Sequence, residues 1–92
     1  MKPNMTSAEV NHLIERAFVA WESLPNVERE ISTWDLTDLI VFIEEWPREE
    51  ERLQRLAEYS RAGMLDDAQQ VKYTRLLDVV ARNRPIASRL TR

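Results

Sequence analysis

Glu9 and His12 stand three residues apart in "AEVNHLIER". On a helix this spacing brings a carboxylate and an imidazole to a shared metal, as in di-iron carboxylate proteins. Such a site needs several more inward-facing carboxylates, and His12 is the only histidine in the chain. Glu9 has another role, as the acid of a capping box opened by Thr6. His12 falls about 200° around the helix from Val10, away from the apolar face. The residues therefore favour a solvated histidine, with a small metal-binding helical protein as one alternative function and no cofactor expected.

A second group is acidic: Glu44, Glu45, Glu49, Glu50 and Glu51 around "WP". Paired carboxylates perform general acid–base chemistry when one of them is desolvated and its pKa raised. These five occupy helix termini, where the dipole favours acids in the first turn, so they read as a solvated face or a docking surface for a basic partner. One histidine, one glycine and no cysteine exclude a second imidazole, a glycine-rich phosphate loop, thiol catalysis and disulfides. The expectation is a protein that is not an enzyme and has no small-molecule substrate.

The third group is basic. Residues 82–92 carry Arg82, Arg84, Arg89 and Arg92 with no acid, a net charge of +4, against −7 for residues 1–81. The body repels nucleic acid, and only this end attracts phosphate. Arginines near a helix C-terminus also favour its dipole. The segment "LAEYSRAGMLDDAQQVKYTRLL" has the outline of a helix-turn-helix. However, its second helix opens on Asp66 and Asp67 and places Gln69 and Lys72 where that motif needs apolar residues. Nucleic-acid binding is therefore the lesser reading.

The elements that must position these groups are helical. The stretch "LIVFI" could be a buried strand, but no second strand candidate exists to pair with it. Read as a helix, Leu36, Leu39, Ile40, Phe42, Ile43 and Trp46 cover about 160° of its circumference. Only Val41 lies outside that arc. "STWD" supplies its N-cap. Before it, Thr6 and Glu9 form a capping box, with Met5 and Val10 as the hydrophobic staple. Val10, Leu13, Ile14, Ala17, Phe18, Trp21 and Leu24 follow within about 140°. Pro25 and Asn26 end that helix, and residues 25–34 stay open between helix and loop.

Pro47 reads as the first position of a further helix with glutamates in its first turn. Its apolar stripe is narrow, made of Leu53, Leu56, Ala57 and Tyr59. Gly63 suits a left-handed C-cap, with Met64 folding back. Asp66 and Gln69 form a second capping box opening a helix with Tyr73, Leu76, Leu77, Val80 and Ala81 on its inner face and Val79 beside them. Pro85 breaks or kinks that helix, and "PIASRL" adds one more turn. The predicted fold is all-α: one domain over residues 1–92, a small bundle of four main helices near 7–24, 35–46, 47–62 and 67–84.

The segments "EEWPREEERLQRL", "AGMLDDAQQVKYTRLL" and "NRPI" resemble a group of uncharacterised small helical bacterial proteins. The likeness covers the chain from Glu45 onward. It implies a bacterial cytoplasmic protein, antitoxin-like in size and character, and brings no catalytic or ligand residues.

Ninety-two residues, 43% apolar and 32% charged, make a thin core that gains burial by oligomerising. No apolar run approaches the roughly 20 residues a membrane helix needs, and the N-terminus lacks a secretory apolar segment. The wide apolar arc of the second helix exceeds the roughly 100° that one contact covers. The leading expectation is a cytoplasmic interaction or regulatory module acting as a homodimer on an unidentified protein partner. Trp34, Val41, Phe42 and Trp46 are its candidate interface. The alternative is an antitoxin-like or nucleic-acid-associated regulator using Arg82, Arg84, Arg89 and Arg92.

Overall fold

Each long helix starts where a side chain can accept its first orphan N–H groups. The computed structural model describes residues 6–91. Thr6 and Glu9 make the reciprocal pair that opens α1 (Ser7–Glu22), with both bonds at 3.1 Å. Met5, the other half of the expected staple, lies outside the described residues. Asp35 accepts from the Asp38 N–H to open α3 (Leu36–Arg61). Asp66 and Gln69 make the second capping box, opening α4 (Asp67–Leu90). Between α1 and α3 lie the short α2 (Leu24–Glu30) and a 3-10 turn over Ile31–Thr33. The all-α prediction holds, and the described residues contain no strand.

The division into four main helices does not hold. The segments expected at 35–46 and 47–62 are one continuous 26-residue helix with Pro47 inside it. Pro47 lacks the N–H that would reach the Ile43 carbonyl, a defect that costs about 3 kcal/mol in a helix interior. Its ring is exposed, so water can serve that carbonyl, while Trp46 before it and Leu56 and Tyr59 after it are anchored in the core. Tertiary packing on both sides keeps the helix going. Pro85 is likewise exposed within α4, and the expected separate turn "PIASRL" is the end of that helix, with Ala87 buried. The first helix stops at Glu22 rather than residue 24. Pro25 sits in the first turn of α2, where its missing N–H costs nothing.

Gly63 has φ +71° and no heavy atom near where a Cβ would stand. The Gly63 N–H reaches the Ser60 carbonyl at 3.1 Å and the Met64 N–H reaches Tyr59 at 3.0 Å, a Schellman closure that turns the chain from α3 into α4.

Two hydrogen bonds with the same sequence separation of 62 residues fix the relation of α1 to α4. The Gln69 amide donates to the Ser7 carbonyl at one end, and the Asn83 amide donates to the Trp21 carbonyl at the other. The two helices therefore run parallel, side by side. Ser60–Gln70 and Arg84–Glu50 contacts run the opposite way, so α3 is antiparallel to both. Arg89 grips Glu28 with two bonds of 2.9 and 3.1 Å and holds α2 against the end of α4.

Ile14, Ala17, Trp21, Leu24, Leu56 and Leu76 are fully buried along this arrangement. On α4 the buried face is Tyr73, Leu76, Val79 and Val80, whereas Leu77, expected inside, is 40% exposed and Ala81 is exposed. Val79 lies beside Glu22 at the end of α1 and Pro25 at the start of α2, and packing against these two elements draws the face toward it. Full burial of side chains of this size contributes about 1.5–3 kcal/mol each.

Candidate functional site

Helix α3 has 26 residues and α1 has 16. At 1.5 Å per residue α3 is about 39 Å long and α1 about 24 Å, so α3 alone matches the 42 Å long axis of the molecule. The Trp21 ring near the end of α1 meets Trp46 edge-on, with centroids 4.9 Å apart. Upstream of Trp46, α3 runs past α1, and none of residues 36–45 is buried. Residues 36–45 form an overhang.

Six of the ten residues of this overhang are apolar. Leu36 is 70% exposed, Val41 45% and Ile40 43%. Leu39, Phe42 and Ile43 are half-buried. The wide arc is thus divided along its length. Phe42 and Trp46 turn inward, stacked with centroids 5.7 Å apart, and Trp34 closes on Phe42 edge-on at 5.8 Å. Leu36 and Ile40 turn outward, with Leu39 and Ile43 between the two sides.

Of the four interface candidates, Val41 and the half-buried Trp34 and Phe42 border one shallow depression with Asp38 and Glu45. Trp46 is 7% exposed and belongs to the core. Leu36, Ile40 and Ile43, the residues of the outer stripe, escaped the sequence reading. They belong to the arc expected to exceed one contact, but were not among its named interface candidates. The available signal was length: a helix longer than its neighbours must leave part of itself uncovered.

The other candidate groups are placed as follows. Glu9 accepts the Thr6 N–H at 3.1 Å, and His12 is exposed in an open groove between α1 and α3 with Glu15, Arg16, Val19, Glu49 and Arg52. Among the described residues no three His, Asp or Glu side chains gather as a metal site requires. The five acids disperse around α3. Glu44, Glu45 and Glu51 are exposed, and Glu49 pairs with Arg52. Glu50 accepts from the Trp46 indole at 3.3 Å and from Arg84 at 3.2 Å. One Glu49 oxygen, Oε1, is out of solvent with no hydrogen-bond partner.

The basic end is engaged within the chain. The Arg84 guanidinium lies 5.0 Å from the Trp21 ring centroid as well as on Glu50, a cation–π contact beside an ion pair. Arg89 is on Glu28, and Arg82 reaches the Asp78 carbonyl at 3.4 Å. Arg92 lies outside the described residues. Among the described residues no helix is long and apolar enough to cross a membrane.

Comparison with known protein families, with curated proteins and with solved structures finds no match to this chain.

Proposed function

We propose that this chain is a non-enzymatic interaction module that acts as a homodimer in the cytoplasm, with the overhanging half of α3 as its docking surface. One observation supports the reading above the rest. Over residues 36–45 no side chain is buried, and Leu36, Ile40 and Val41 are between 43% and 70% exposed. Scattered apolar side chains are ordinary on a surface, but a contiguous apolar stripe at helical spacing marks a place where another molecule sits.

The dispersal of the five glutamates over α3 supports a non-catalytic reading, since no two of them share a desolvated site. The ion pairs of Arg84 and Arg89 weigh against the phosphate-binding alternative, because those charges already have partners. The absence of cysteine suits a reducing compartment.

Sedimentation equilibrium from micromolar to millimolar protein tests the proposal. A monomer–dimer equilibrium is expected, and Ile40→Glu should shift it to monomer while leaving the helical circular dichroism and thermal midpoint almost unchanged. A wild-type protein that stays monomeric over the whole range overturns the homodimer.

A further inference from the structure

The shallow depression bordered by Trp34, Asp38, Val41, Phe42 and Glu45 has an open volume of about 350 Å³. The last four of these stand at positions i, i+3, i+4 and i+7 of one helix. The two carboxylates therefore lie on one line along α3, with the two apolar side chains between them. Seven residues at 1.5 Å each separate the acids by about 10 Å. The Trp34 ring, edge-on to Phe42 at 5.8 Å, makes an aromatic wall beside them.

Both acids are exposed, and among the described residues neither has an ion-pair partner. Asp38 suits the first turn of α3, where the dipole favours a carboxylate. Glu45 has no such reason for its place. It is in mid-helix, and four positions on is Glu49, a like-charged spacing that destabilises a helix. Arg48, three positions on, forms no ion pair with it. Around the depression the charge has one sign. Residues 30–47 hold Glu30, Asp35, Asp38, Glu44 and Glu45 with no lysine or arginine.

An apolar floor with a carboxylate at each end and an indole at its side is complementary to a cation, an apolar side chain and a second cation in that order. Aromatic faces attract ammonium and guanidinium groups, and carboxylates pair with them through charge-assisted hydrogen bonds. Nucleic acid and acidic lipid are repelled by the same charges. In an extended segment, residues 10 Å apart are three positions apart and point to opposite faces. In a helix they are seven apart and share a face. The matching order within this chain is Arg82, Pro85, Ile86 and Arg89, and it is already engaged: Arg89 holds Glu28, and Ile86 packs against the core.

We propose that the depression docks a basic amphipathic helix of another protein. Its apolar side chain rests on Val41, Phe42 and Trp34, and two lysines or arginines seven residues apart pair with Asp38 and Glu45. This rests on the reading of the overhang as a docking surface and needs no second copy. Ile40 is about 150° around α3 from the Asp38–Glu45 line, so a homodimer formed through the outer stripe leaves the depression free.

The probe is a short helical peptide of leucine and arginine with arginines seven residues apart, beside a twin carrying glutamate for arginine. Amide and indole resonances of isotope-labelled protein are followed as each is added at low salt. The arginine peptide should shift residues 34–45 and the Trp34 indole, and the glutamate peptide should shift nothing. Asp38→Asn combined with Glu45→Gln should weaken binding about fivefold, and Trp34→Leu about threefold. Circular dichroism should be unchanged in the double variant, since both acids are exposed. Raising salt from about 50 to 200 mM should weaken the wild type and affect the double variant less. No shift with the arginine peptide, shifts centred on other acids such as Glu58 or Asp67, or a double variant that binds as the wild type does each overturns the proposal. A double variant that loses the dimer in sedimentation overturns it as well, because a second copy would then be the occupant. A wild type that is monomeric yet binds the peptide removes the homodimer and leaves this site standing.

Discussion

Gln69 shows how one polar side chain joins two elements. It is 3% exposed, yet its Oε1 accepts the Asp66 N–H at 3.0 Å and its Nε2 donates to the Ser7 carbonyl and hydroxyl at 3.1 Å and to Asn11 at 3.3 Å. A buried amide costs little when every hydrogen-bonding group is matched. The cap was legible from Asp66 and Gln69 alone. The contact with α1 was not, because a residue 62 positions away leaves no local trace.

Tyr73, four residues on, is 6% exposed. Burial pushes its hydroxyl pKa above the usual tyrosine value, and the nearby Arg61 charge only partly opposes that shift. The folded state therefore holds the proton to higher pH than the unfolded chain does. This contribution to stability is fully present below the unfolded value near 10 and is lost as pH rises through the folded one. Urea unfolding between pH 9 and 11.5 should show falling stability, and Tyr73→Phe should remove part of that slope. An unchanged slope in the variant would place its source in another group.

At the scale of the element, the prolines set the limit of what a chain reveals about itself. Caps depend on residues three apart, so all three long helices start where their sequences announce, at Thr6, Asp35 and Asp66. The Gly63 reversal is equally local. Pro47 and Pro85 look like breaks by the same local logic, yet both lie inside helices. What overrides them is distant: Trp21 against Trp46 on one side of Pro47, and Arg84 on Glu50 just beyond it. The overhang was illegible for the same reason, since its exposure depends on where α1 ends.

If Pro47 is a tolerated defect, removing it should help. Pro47→Ala restores the bond to the Ile43 carbonyl, a gain of up to about 3 kcal/mol, reduced by the roughly 0.4–1 kcal/mol that proline contributes by restricting the unfolded chain. The expected result is a protein more stable by about 2 kcal/mol in urea. A less stable variant would mean that the Pro47 ring makes a stabilising contact that outweighs the missing hydrogen bond.

At the scale of the whole molecule, stability should be uneven along α3. Its second half lies against α1 and α4, with Leu56 and Tyr59 at 0% and 2% exposure. Residues 36–45 include no buried side chain, although the helix continues unbroken through them apart from the bond that Pro47 cannot make. Local opening costs least where few apolar contacts are lost, and amide hydrogens there exchange through opening rather than through global unfolding. In dilute protein, amides of residues 40–45 should exchange faster than those of residues 53–60, even though both belong to one helix. Raising the protein concentration should protect the first set and leave the second unchanged, because only the overhang gains a cover when a second copy binds. Equal protection of the two halves in dilute solution would mean that the overhang is held by its own chain, leaving no free face for a partner. Fast exchange that ignores concentration would leave the face free and the second copy absent. The two measurements thus separate the exposure of the stripe from the identity of what covers it.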